Sequence, residues 1–206
     1  MCRRRPMLLA LVWTAAAAGR LAGQDSRLVG RLDPPALTAV QGVLDSARVA
    51  NLPTEPLVAK ALEGVAKRAG NERIVLALRS LLRDLATARR ALGPDAGGSE
   101  LAAGATAVRA GVDAGALERL RGARKDLTAP LGVLADLVVH GVPVDTAVAA
   151  IRQLASRGAP DGEFTGLARH VLRDVGVGVP PGLAATARAG ALGAPRRPTH
   201  PGKPRP

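Results

Sequence analysis

The sequence predicts an all-α domain, and two observations carry that reading. Apolar residues recur at spacings of three and four through one segment after another. The segments are separated by a recurring joint: a glycine, an apolar residue, then a proline or an acid. Gly111-Val112-Asp113, Gly141-Val142-Pro143, Gly158-Ala159-Pro160-Asp161 and Gly178-Val179-Pro180 all follow it. Glycine takes the left-handed position that ends a helix, the apolar residue folds back over that helix, and proline or the acid starts the next. Connections this short make neighbours antiparallel or steeply crossed. The expected architecture is an array of short antiparallel helical hairpins, either α-solenoid-like or an irregular bundle. An N-terminal signal helix precedes it and a disordered C-terminal tail follows it. The joint glycines lie 17 residues apart between 141 and 158 and 20 apart between 158 and 178. That is too irregular to name a repeat family.

Taken in order, residues 1–23 read as a signal peptide. Arg3, Arg4 and Arg5 give a basic start, Met7 to Ala18 an apolar run, and Leu21-Ala22-Gly23 a small-residue cleavage point before Gln24. The run is short for a membrane span, which needs about 20 residues. Gln24 offers no sulfur for a lipoprotein anchor. Cleavage there would send the protein to the periplasm or outside the cell. It would also remove Cys2, so no disulfide could form in the exported chain. Stability then rests on packing.

Residues 24–190 form the predicted helical domain. Asp33-Pro34 is a cap followed by proline at the first helical position, and Leu37, Val40, Leu44 and Ala47 make the first apolar stripe. Thr54 is placed to cap the second helix, with Leu57, Val58, Ala61, Leu62 and Val65 on one side and Gly70 at its end. Asn71 is placed to cap the strongest helix. There Ile74, Leu78, Leu81, Leu85, Ala88 and Leu92 follow a 4-3-4-3-4 spacing, with Leu78, Leu81 and Leu85 expected in the core. Residues 72–92 would span roughly 30 Å. The seam suits an ordinary core helix packed on residues 54–69, and it leaves homo-oligomerisation through 72–92 as an alternative.

Gly93-Pro94-Asp95-Ala96-Gly97-Gly98 is the clearest internal break. Beyond it, Ser99 and Asp113 are placed as caps of two short helices. Thr128-Ala129-Pro130 opens a helix that stops at His140-Gly141, and Val144 to Arg157 forms another. Asp161 is placed as the cap of the helix carrying Phe164, Leu167, Val171 and Leu172. Pro180-Pro181 opens a last one. Residues 191–206 are rich in proline and arginine and hold no large apolar side chain after Leu192, so they read as a disordered, extended tail.

Charge narrows the partners. The chain has 29 Lys+Arg and 17 Asp+Glu, +12 in all. Without residues 1–23, twenty-five cations remain, a net +8. Half of that excess is Arg196, Arg197, Lys203 and Arg205 in the tail, where no acid accompanies them. These four are the candidate contacts to an anionic envelope surface of lipid or polysaccharide. Nucleic acid is disfavoured, because single-strand platforms stack bases on aromatics and Phe164 is the one aromatic after residue 23.

No catalytic constellation stands out. His140, His170 and His200 lie thirty residues apart, and His170 with Asp174 at i, i+4 reads as an ion pair rather than a metal site. No Gly-x-Ser-x-Gly elbow or phosphate-loop fingerprint occurs. Asp161 and Glu163 have structural readings as cap and first-turn acid. No cofactor, metal or catalytic residue is assigned. The expected function is an exported helical binding or scaffold module for a protein partner. The alternatives are an envelope-surface binder acting through the tail and a hydrolase with a dispersed site.

Overall fold

The computed structural model describes residues 25–193, and among them the chain is all-helical, with no strand. The helices are α1 (Pro34–Val49), α2 (Glu55–Ala66), α3 (Asn71–Leu92), α4 (Gly98–Arg109), α5 (Ala114–Glu118), α6 (Thr128–Val139), α7 (Val144–Ser156), α8 (Asp161–Gly176) and α9 (Pro181–Gly193). Residues 1–23, read from the sequence as a signal peptide, and residues 194–206 of the expected tail lie outside the described residues, while residues 191–193 belong to α9.

Each helix starts and stops for a local reason. Asp33 Oδ1 accepts the Ala36 N–H at 2.8 Å and Pro34 fills the first position, as its sequence demands. Asp113 does the same for α5, accepting from Ala116 at 2.8 Å. Six of the endings, those of α1, α2, α4, α6, α7 and α8, share one hydrogen bond. Leu52, Ala69, Val112, Val142, Ala159 and Val179 each donate to the carbonyl five residues back, at 2.9–3.1 Å. The residue before each donor is left-handed: Asn51, Arg68, Gly111, Gly141, Gly158 and Gly178. This is the Schellman ending, in which the chain folds back on the helix it has left. Leu52, Val112, Val142 and Ala159 bury their side chains as they do so.

Several local expectations move by a residue or two. Arg68, with φ of 54°, ends α2, and Gly70 instead precedes α3 in extended backbone. Asn71 therefore sits inside α3, where its amide donates to Asp33 Oδ2. Thr54 precedes α2 without a side-chain bond to it. Gly97, not Ser99, precedes α4, and its N–H donates to Glu100 Oε2 at 2.9 Å. Asp161 is the first residue of α8 and pairs with Arg124 rather than capping. Leu78 and Leu85 are buried, whereas Leu81 is half-buried at the core's edge.

Packing follows chain order. α3 lies against α1, α2, α4 and α5; α6 against α4, α7 and α8; α9 against α7 and α8. Small residues allow close approach. A Cβ on Gly64 of α2 would come within 2.7 Å of Ile74 Cγ1, and one on Gly104 of α4 within 3.0 Å of the Ala88 Cβ. At the α6–α7 and α8–α9 corners, proline and glycine interlock. Pro181 packs over Gly141 and Pro143 over Gly182, each about one van der Waals contact from a Cβ there. One buried cluster runs from Leu28 to Ala189, with Phe164 its largest side chain.

Arg89 of α3 pins the loop after its own helix. Nη1 donates to the carbonyls of Gly93, Pro94 and Ala96, and Nη2 to Asn51 at the end of α1. α4 thus begins beside α3, and the two helices lie against one another across residues 93–97.

Candidate binding surfaces

The titratable groups singled out by sequence have structural employment. His140 follows the end of α6, and its Nδ1–H donates to the Asp136 carbonyl at 2.7 Å. The carboxylate of Asp174 is taken by Arg188 of α9, Nε to Oδ2 at 2.6 Å and Nη2 to Oδ1 at 2.7 Å. That fork holds the Asp174 carboxyl below its ordinary range and the guanidinium above its own. His170, on the same helix, adds only charge nearby. Asp161 pairs with Arg124 at 2.8 Å, and Glu163 pairs with Arg157. The two acids therefore anchor separate arginines and do not face a common space as a catalytic pair.

Other shifted groups have the same kind of cause. Lys67 and Lys60 together pull Glu63 down to about 2. Arg27 donates to Glu55 and to Asp25, which lowers both carboxyls. Hydrogen bonding by Thr128 lowers Asp126. All are ion pairs or turn contacts at the surface. Among the described residues, no three His, Cys, Asp or Glu side chains gather as a metal site would require, and no helix is long and apolar enough to cross a membrane.

Several concave surfaces remain, two of them lined in part by α3. The larger, about 490 Å³, is a groove between the starts of α1 and α3. Pro35, Ala36 and Ala39 form one wall, and Val75, Leu76 and Arg79 the other. Asp33 and Asn71 close its end through their side-chain bond, which fixes the spacing of the two helices. Leu76 is 63% exposed, a large apolar side chain offered to solvent. From it runs a straight row along α3: Leu76, Arg79, Arg83 and Arg90, spaced three, four and seven residues apart. The three arginines cover about 16 Å of helix. Arg79 and Arg83 have no carboxylate partner among the described residues, and Arg90 reaches only the Thr87 hydroxyl.

The second, about 250 Å³, lies between the α3–α4 loop and residues 119–127, the Arg-Leu-Arg-Gly-Ala-Arg-Lys-Asp-Leu turn before α6. Leu92, Ala96 and Leu127 supply its apolar walls, and Arg121, Arg124 and Lys125 its charge.

The chain matches no family model, no curated protein and no solved structure. What these surfaces take must be argued from their own chemistry. The sequence-predicted contacts Arg196, Arg197, Lys203 and Arg205 fall outside the described residues. Sequence reasoning passed over both concave sites. The arginines of α3 read as lying outside the seam of a core helix, and the four cations within 119–125 were given no role. The legible signal was density: no other described stretch of seven residues holds so many cations.

Proposed function

We propose that the chain, once residues 1–23 are removed on export, is a helical scaffold that binds a partner protein along the open side of α3. Its helices would stack as a two-layer array of hairpins. Every substantial helix contact joins elements one or two apart in the chain, and such quasi-linear order is how α-solenoids build extended binding faces. The observation that carries the binding reading is the row Leu76, Arg79, Arg83 and Arg90 beside the α1–α3 groove. An apolar anchor followed by three arginines without carboxylate partners is complementary to an acidic amphipathic segment. Arginine suits such a contact because its planar fork takes a carboxylate through two bonds.

Titration with a helical peptide bearing leucines and glutamates at helical spacing tests this, beside the same peptide with glutamine for glutamate. The expected outcome is binding of the acidic peptide only, lost with Arg79→Glu and Arg83→Glu together while circular dichroism stays unchanged. Equal binding of the two peptides, or of protein and variant, removes the surface. Export itself is tested by sequencing the N-terminus of extracellular or periplasmic protein, which should begin near Gln24.

A second reading gives the tail the contact. Arg196, Arg197, Lys203 and Arg205 carry four charges with no acid among them, which favours an anionic envelope surface. Deleting residues 194–206 should then weaken sedimentation with anionic vesicles, and equal sedimentation would end that reading.

A further inference from the structure

We propose that the concavity between residues 93–97 and 119–127 is a binding site for a phosphate group. It shares no residue with the α1–α3 groove. Its three cations come from one short turn, and the fold treats them differently. Arg124 is fixed from three sides: its Nη1 lies 2.8 Å from Asp161 Oδ1, the same nitrogen donates to the Ala159 carbonyl at 3.3 Å, and its guanidinium sits 5.3 Å above the Phe164 ring. The side chains of Arg121 and Lys125 have no hydrogen-bonding or carboxylate partner among the described residues. Arg121 is exposed, and its guanidinium lies against the bare Cα of Gly93. A Cβ there would meet Arg121 Nη2 at 2.8 Å, and φ of +94° asks for glycine at that position as well.

Neither acid that lines the site pairs with its cations. Glu100 Oε2 accepts the Gly97 N–H at 2.9 Å, and its Oε1 accepts the Leu127 N–H at 2.8 Å. This carboxylate therefore clamps the two walls together, and its oxygens face backbone donors. Asp95 stands exposed at the rim. What remains is a hollow over Leu92 and Leu127 where Arg121 and Lys125, both exposed, have no ion pair among the described residues and Arg124 pairs with Asp161. At about 250 Å³ the hollow is smaller than a typical drug-sized site, so it suits a phosphate headgroup rather than a whole nucleotide. A tetrahedral dianion can take the Arg121 fork and the Lys125 ammonium at once.

The test is amide-shift titration of the full chain with inorganic phosphate and with glycerol phosphate, at an ionic strength held constant with chloride. Saturable shifts confined to residues 93–97 and 121–127 are expected. Arg121→Gln combined with Lys125→Gln should weaken both ligands at least about tenfold, since each lost charge-assisted bond is worth about that factor. Asp95→Asn, which removes the repelling carboxylate at the rim, should tighten binding and keep the fold. Absence of saturation, shifts centred on Arg79 and Arg83 or on residues 194–206, an unweakened double variant, or no gain in Asp95→Asn would each overturn the site. Sedimentation with phosphatidic acid vesicles against phosphatidylcholine vesicles separates the sources. Loss of pelleting in the double variant assigns the group to a lipid headgroup, and binding of the free ester alone assigns it to a soluble phosphate compound.

Discussion

α3 and α6 are the two helices around which the others gather, and they are built on opposite plans. α6 buries Pro130, Leu131, Val133, Leu134, Ala135 and Leu137, so α4, α7 and α8 enclose it on most sides. α3 buries one seam, Ile74, Leu78, Leu85, Ala88 and Leu92, and turns Leu76, Arg79, Arg83 and Arg90 outward. Both hold the core together. Of the two, α3 is the one that leaves a row of arginines without a carboxylate partner among the described residues. The difference teaches where to look for function in a helical array without a catalytic cluster. An enclosed helix is explained by packing alone, whereas a half-enclosed one bears side chains that packing does not explain.

The largest expected effect would break this contrast outright if it failed. Leu134→Ala in α6 removes a fully buried side chain and should cost about 2–5 kcal/mol in chemical denaturation. Leu76→Ala on the open face of α3 should change stability by less than about 0.5 kcal/mol. Similar losses from the two would mean that α3 is covered where we describe it as open.

Next come the glycines that set how tightly each helix is gripped. Gly64→Ala puts a methyl 2.7 Å from Ile74 Cγ1, and Ile74 is only 3% exposed, so it has little room to give. An overpacking cost of about 1–3 kcal/mol should outweigh the helix-propensity gain. Gly132→Ala in α6 meets nothing within 4 Å and should stabilise by up to about 1 kcal/mol. Thermal melting of both variants gives the signs, and the same sign in both would refute the close approach of α2 to α3.

Arg89 sharpens the contrast from the other direction, because it is the one α3 arginine that turns inward. Its two terminal nitrogens satisfy four carbonyls, those of Asn51, Gly93, Pro94 and Ala96, while its Nε is buried without a partner. Arg89→Met keeps much of the stem and removes those bonds. Some of these carbonyls reach water, so the expected cost is about 1–2 kcal/mol. Proteolysis should then cut first at residues 93–97. A melting curve identical to the parent's would show that the loop holds its own shape.

The helical class and most helix bounds were legible because each depends on short-range chemistry. Asp33-Pro34 and Asp113 cap as their sequences require, and the four glycine joints all take positive φ. The misplaced ends have one physical source. A Schellman ending needs a left-handed residue followed by one that can fold back, and glycine is only the cheapest way to supply it. Asn51, followed by Leu52-Pro53, was legible as an ending, but where Arg68 does the work a search for glycine settles on Gly70. Leu81 was placed in the core by spacing alone, but which of two adjacent stripes is deeper depends on where α1 and α4 lie. The two cavities depended on tertiary contacts. Nothing local in the sequence brings Gly93 beneath Arg121 or points both Glu100 oxygens at loop backbones.

The smallest expected effect tests that account of the joints, and it returns to the same two helices. The joint leading into α3 places Arg68 at φ of 54°, and the joint leaving α6 places Gly141 at φ of 87°. Both carry the same fold-back bond, Ala69 to Gly64 and Val142 to Leu137, at 2.9 and 3.0 Å. An L side chain in the left-handed region costs about 1–2 kcal/mol relative to its preferred backbone, and glycine escapes that cost. Against this, glycine loses more chain entropy on folding, about 0.5–1 kcal/mol. The difference should leave Arg68→Gly stabilising by no more than about 1 kcal/mol, a rise of a few degrees in melting temperature. Arg68 is exposed and has no ion pair among the described residues, so its removal takes away no compensating contact. Gly141→Arg is the reverse exchange and should destabilise by about the same amount, since Pro181 lies an ordinary van der Waals contact of 3.6 Å from the new Cβ. If Arg68→Gly instead lowers the melting temperature while Gly141→Arg behaves as stated, the α2–α3 joint depends on the arginine side chain itself. The equivalence of the two joints would then hold for backbone geometry and fail for energy.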